Sequence, residues 1–216
     1  MAAIIPVRLR PAQARPIISC MKTTHLLYLH GFRSSPLSAK SQRMHRHVQD
    51  HHPDTVWAAP QLPPSPQAAA AVMREATRSW AQVPPEQIAV IGSSLGGFYA
   101  SWVAQQLRCK SIMVNPSTTP WITLAQHLGE HTTWQNPEEH FFFRPEYLDE
   151  LKALDVTKLP PAGPQMLIAA KGDEVLDWRD MVARYPAATV LLQEGGDHAL
   201  GNFEAYLGEI DRFLGW

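Results

Sequence analysis

The segment Ile88-Ala89-Val90-Ile91-Gly92-Ser93-Ser94-Leu95-Gly96-Gly97 constrains the fold more than any other stretch of the chain. An apolar run with strand character enters a G-x-S-x-G turn at 92–96, and a helical pattern follows it. A serine at the centre of such a turn must take a strained backbone conformation so that its hydroxyl projects above the sheet. Strand and helix then pass very close two residues before and two after it, where Gly92 and Gly96 remove the Cβ atoms that would clash. The helix opening at Leu95 aims its first N–H groups at any negative charge that forms nearby. Ser94 is therefore the candidate nucleophile. Ser93 is the weaker candidate because it lacks the symmetric glycine spacing.

The rest of the chain repeats the alternation that this turn requires. Residues 25–30, 55–59, 87–91, 111–115, 165–170 and 189–193 read as short buried strands. Helical patterns fit at about 36–51, 67–81, 95–108, 178–185 and 199–214. Strands alternating with helices argue for a parallel sheet covered on both faces. With 216 residues, 45% of them apolar, the chain can bury the core such a sheet needs. Two stretches interrupt the rhythm. Pro60–Pro66 is a proline-rich connection that cannot be a central strand. Residues 117–164 are far longer than a simple crossover and carry Trp121, Trp134, Phe141, Phe142, Phe143 and Tyr147. They read as an aromatic-rich cap over a site, or as an excursion packing its aromatics onto the domain body.

A serine hydroxyl needs a base before it attacks. His198 follows the last strand in the turn Glu194-Gly195-Gly196-Asp197-His198. An acid that fixes the imidazole should follow the preceding strand, in Lys171-Gly172-Asp173-Glu174-Val175-Leu176-Asp177. Asp173 comes first after the turn glycine and is best placed. Glu174 and Asp177 are rivals, with Asp177 better suited to cap the next helix. Asp197 reads as a turn residue. An oxyanion hole needs two backbone N–H donors. Leu95 supplies one and Phe32, after Gly31 at the end of the first strand, the other. His30 then supports its loop rather than moving protons.

These residues resemble one family throughout the chain from Met21 onward. The matching segments are Tyr28-Leu29-His30-Gly31-Phe32 with Ser34-Ser35-Pro36 and Ser38-Ala39-Lys40, the Pro60–Pro64 loop, Gly92–Gly97, Val114-Asn115-Pro116, Gly172–Asp177 and Glu194–Ala199. They are similar to the YqiA-type esterases, small bacterial α/β-hydrolases. The resemblance implies a minimal α/β-hydrolase fold, a six-stranded and mostly parallel sheet with helices on both faces and a small cap. It implies a serine esterase acting on short-chain acyl esters, with acyl thioesters such as acyl-CoA as a further class. It also implies Ser94, Asp173 and His198 as the triad. No metal or organic cofactor is required. The alternatives are a non-catalytic binding protein on the same scaffold, and a thioesterase or C–C bond hydrolase.

Charge excludes other classes. With 19 basic against 20 acidic residues there is no electrostatic case for nucleic acid, and no apolar run approaches the ~18 residues of a membrane span. Cys20 and Cys109 are too few for a disulfide scaffold, and Cys109 reads as a buried neutral thiol. The expected setting is cytoplasmic. No Asp or Glu precedes Asp50, and residues 1–20 read as a poorly ordered extension, or as sequence upstream of a start at Met21, ahead of one domain at 21–216. His45, His47, His51 and His52 cluster near Asp50 and Asp54. His47 and His51 have metal-ligand spacing, but no third ligand stands at a telling distance, so the cluster reads as a solvated helix end.

Overall fold

The computed structural model describes residues 21–216; the expectation for 1–20 lies outside the described residues. Six strands form one parallel sheet: β1 (His25–Leu29), β2 (Val56–Ala58), β3 (Ile88–Ser93), β4 (Lys110–Val114), β7 (Gln165–Ala170) and β8 (Thr189–Gln193), in the order β2-β1-β3-β4-β7-β8. β3 lies between β1 and β4, with Leu29 opposite Gly92 and Val114 opposite Ser93. The central strands are buried on both faces, which explains their continuous apolar sequences.

Alternate residues serve opposite faces. Leu27, Leu29, Ile88 and Val90 pack against α2 (Pro66–Ala76) and α3 (Leu95–Leu107). Leu26, Tyr28, Ala89, Ile91, Ile112 and Val114 pack against α1 (Ala39–His51) and α7 (Leu207–Leu214). Met113, Leu167 and Ala169 meet Met181 of α6 (Trp178–Arg184) and Tyr185 just past its end. The sequence of α3 is apolar on nearly every side. Every residue from Leu95 to Ala104 is buried, so this helix is a core element as well as the mount for the Ser94 turn.

Two helices are shorter than the periodicity suggests. α2 ends at Ala76, where the Thr77 hydroxyl bonds back to the Met73 carbonyl, and a 3₁₀ turn continues to Trp80. Residues 199–206 form turns with Leu200 at φ 48° and a 3₁₀ segment before α7 begins. The long insertion is also not simply helical. Between α4 (Pro120–Thr123) and α5 (Glu146–Ala153) it folds an antiparallel hairpin, β5 (Gly129–Thr132) with β6 (His140–Phe143). Phe143 and Leu151 anchor it in the core, while Trp134 and Phe142 stay exposed.

Candidate active site

Ser94 occupies the turn between β3 and α3 with φ 57° and ψ −122°, a region costly for any residue with a Cβ. Its surroundings hold it there. The Ser94 N–H donates to the Val114 carbonyl at 3.0 Å, and its own carbonyl accepts from Gly97 and Ser117. The close approaches are severe: a Cβ on Gly92 would lie 1.9 Å from the Gly96 carbonyl oxygen, and one on Gly96 would lie 2.0 Å from that of Leu29.

The carboxyl ends of β7 and β8 bring two further side chains to this hydroxyl. The Ser94 Oγ lies 3.0 Å from His198 Nε2, and His198 Nδ1 lies 2.8 Å from Asp173 Oδ2. The Asp173 side chain is fully shielded from solvent, and its Oδ1 accepts the N–H groups of Val175 and Leu176, each at 2.8 Å. A carboxylate held by three donors is fixed in orientation. Since it accepts from Nδ1, it leaves the Nε2 lone pair facing the hydroxyl. The other acids in these turns do other work. Glu174 accepts the backbone N–H of His198 at 3.0 Å, and Asp177 caps α6 by accepting from Arg179 at 2.8 Å. Asp197 Oδ1 accepts from the Gly201 N–H within its own turn.

Asn115 is the residue that sequence reasoning passed over. It is fully buried at the end of β4 with φ 40°. Its Oδ1 accepts the Ala170 N–H at 2.8 Å, and its Nδ2 donates to the carbonyls of Asp197 and His198, each at 3.1 Å. One amide thus ties the root of the acid turn to the histidine turn. From α1, Lys40 Nζ donates to the Ala199 carbonyl and Arg43 donates to that of Gly201 at 2.9 Å. Burial draws the Lys40 ammonium down to about 8, against the opposing pull of Asp197.

On the other side of Ser94, the loop after β1 carries Phe32. Among the described residues, neither the Phe32 N–H nor the Leu95 N–H donates to a protein acceptor. His30 Nε2 accepts from the Leu62 N–H at 2.9 Å, so Nδ1 carries the proton and donates to the Gly31 carbonyl. Burial pushes this imidazole down to about 4, so it stays neutral and joins the Gly31 turn to the proline-rich loop. The Phe32 ring sits among Phe141 and Phe143 of the hairpin, with centroids 5.9 and 5.1 Å away. Arg33 stacks on Trp134 and donates to the Thr132 carbonyl at 2.8 Å. A cavity of about 490 Å³ opens beside Gly31, Phe32 and Leu95, walled by Leu62, Tyr99 and Phe141. Cys109 lies elsewhere in the core, its thiol pushed up to about 12 by burial.

The model of the "Uncharacterised protein family (UPF0227)", the YqiA-type family, matches residues 25–215. The chain belongs to this family. Among solved structures, similar chains include Est1E from Butyrivibrio proteoclasticus (TM-score 0.70, 15% identity, 89% of this chain and 87% of that one). Another is alpha/beta hydrolase domain-containing protein 10 from mouse (TM-score 0.65, 14% identity, 90% of each chain). A third is the Pyrococcus furiosus esterase PF2001 (TM-score 0.61, 14% identity, 90% of this chain and 82% of that one). At these identities the likeness establishes an α/β-hydrolase fold for this family member. Among the described residues, no helix is long and apolar enough to cross a membrane.

Proposed function

We propose that the protein is a serine esterase of short-chain acyl esters, extending to acyl thioesters. The observation that carries this reading is a single imidazole placed 3.0 Å from the Ser94 hydroxyl and 2.8 Å from a buried carboxylate. In the first step His198 Nε2 takes the Ser94 proton as Oγ attacks the acyl carbonyl. Asp173 keeps the ring aimed and stabilises the imidazolium without taking a proton itself. The carbonyl oxygen, now negative, accepts from the N–H groups of Phe32 and Leu95, a pair of donors typically worth ~10²–10³ in rate for each one lost. His198 then gives its proton to the departing alcohol or thiol. Water, deprotonated by the same nitrogen, hydrolyses the acyl-enzyme.

Apolar side chains on part of the pocket wall support an apolar acyl group, beside polar lining from Arg33, Gln61, Glu139 and His140. A space of about 490 Å³ with Leu62, Tyr99 and Phe141 on its walls accommodates a short chain. On this reading the aromatic insertion is a cap, and Phe141 and Phe143 hold Phe32 where its N–H serves the oxyanion. The test is a panel of p-nitrophenyl esters from acetate to palmitate alongside acyl-CoA thioesters of matched length. The butyrate compounds are expected to react fastest, with kcat/KM falling steeply toward palmitate. Absence of turnover across the panel, with no covalent labelling by a fluorophosphonate, would leave a binding protein on this scaffold.

Asn115 is then a positioning residue. Asn115→Ala leaves the buried Ala170 N–H and the carbonyls of Asp197 and His198 without this partner. The expected cost is about 2–3 kcal/mol of stability in urea denaturation. Because misplacing a catalytic group by about an ångström can cost up to ~10² in rate, kcat is expected to fall by about 10–100-fold with little change in KM.

A further inference from the structure

The mechanism leaves unused the histidines at the far end of α1. His47, near the end of that helix, and His52, its C-cap residue, both turn toward α7 and meet Asp211 there. His47 Nε2 lies 2.8 Å from Asp211 Oδ1, and His52 Nε2 lies 3.6 Å from the same oxygen. The side chains are 12%, 13% and 25% exposed, respectively for His47, His52 and Asp211. One ligand atom from each falls within 4.8 Å of the others. Two imidazole nitrogens thus converge on one carboxylate oxygen. The contact with His47 is a hydrogen bond, whereas His52 Nε2 is buried and makes no hydrogen bond among the described residues. Buried polar atoms in folded proteins are nearly always partnered, so an unpartnered one aimed into a ligand cluster calls for a partner, such as an ion.

We propose that His47, His52 and Asp211 bind a divalent transition-metal ion of the zinc class, joining the end of α1 to α7. Two imidazoles and one carboxylate suit zinc, cobalt or nickel, whereas magnesium and calcium favour all-oxygen shells. Ligand atoms sharing one zinc at about 2.0–2.2 Å lie roughly 3–4 Å apart, so the observed spacings need only small side-chain rotations. The site is remote from Ser94. α1 begins beside the His198 turn, and its 13 residues carry the chain about 18 Å away at ~1.5 Å per residue. His52 stacks on Trp216 with ring centroids 4.1 Å apart, and Trp216 Nε1 donates to the Thr23 carbonyl just ahead of β1. The ion therefore sits at the amino-terminal edge of the sheet, and its effect is on stability.

The full chain, stripped with a chelator, is titrated with Zn²⁺ by calorimetry and followed by thermal unfolding. One equivalent is expected to bind. At free Zn²⁺ one hundred times Kd the midpoint should rise by about 5–10 °C, while Mg²⁺ gives no shift. His52→Gln and Asp211→Asn should each weaken binding by at least about tenfold, with the fold checked by circular dichroism. His51→Gln tests the rival pair at helical spacing, His47 and His51. The proposal is overturned by absence of saturable binding, by binding that survives both substitutions, or by loss in His51→Gln with His52→Gln unaffected. None of these readouts depends on hydrolysis.

Discussion

Ser94→Ala is expected to lower kcat on the best short ester by about 10⁶ and to abolish labelling by a fluorophosphonate. The loss should far exceed that of any neighbouring substitution, because no other described hydroxyl lies against His198 Nε2. Residual turnover above the solvent rate would come from the Phe32 and Leu95 N–H groups, which alanine leaves in place. Stability separates this effect from damage to the fold. Alanine keeps a Cβ at φ 57° and ψ −122°, so the backbone strain persists and the urea midpoint should stay close to wild type. Ser94→Gly removes that Cβ and should be more stable than Ser94→Ala by about 1 kcal/mol, strain relief exceeding the extra chain entropy. Equal labelling of wild type and Ser94→Ala would reject Ser94 as the nucleophile and turn attention to Ser93, which is nearly buried.

What could be read without coordinates divides along the range of the interactions involved. The four central strands were legible because they are buried on both faces and so are mostly apolar, and the two edge strands, Val56–Ala58 and Thr189–Gln193, because helical periods set them off. Ser94, Asp173 and His198 stood out because each follows a strand at a glycine-marked turn. The distances among them were not legible. Asn115 was invisible as a positioning residue: an asparagine before Pro116 resembles any turn, and its partners lie 55 to 83 residues away. The hairpin escaped for a different reason. Gly129-Glu130-His131-Thr132 has no apolar alternation, and it is a strand because His140–Phe143 pairs with it and packs beneath Phe32. The histidine cluster shows the same limit. Helical spacing pairs His47 with His51, but α1 ends before His52, whose φ of −137° carries its ring out of helical phase and toward Asp211.

The close packing beneath Ser94 leads to the largest expected loss of stability. Gly96→Ala puts a Cβ 2.0 Å from the Leu29 carbonyl oxygen and 2.7 Å from that of His30. Gly92→Ala puts one 1.9 Å from the Gly96 carbonyl oxygen. Each obstacle is backbone, so no side chain can swing aside. Leu29 is paired with Gly92 in the sheet, and moving its carbonyl breaks that ladder. Moving α3 outward instead opens the core around Phe98, Tyr99 and Val103. Either route should cost about 4 kcal/mol or more, a large part of the ~5–15 kcal/mol that stabilises a typical domain. Both variants are expected to express mainly as insoluble protein, with any soluble fraction unfolding at much lower urea. Gly208→Ala is the control: a Cβ there meets no atom within 4 Å, and in α7 it should be neutral or stabilising by about 0.5 kcal/mol. If Gly96→Ala matched Gly208→Ala in urea, the tight seam between β1 and α3 would be wrong, and with it the placement of the Leu95 N–H beside Ser94. The two losses are linked, because the helix that cannot close against β1 is the one whose first turn would receive the oxyanion.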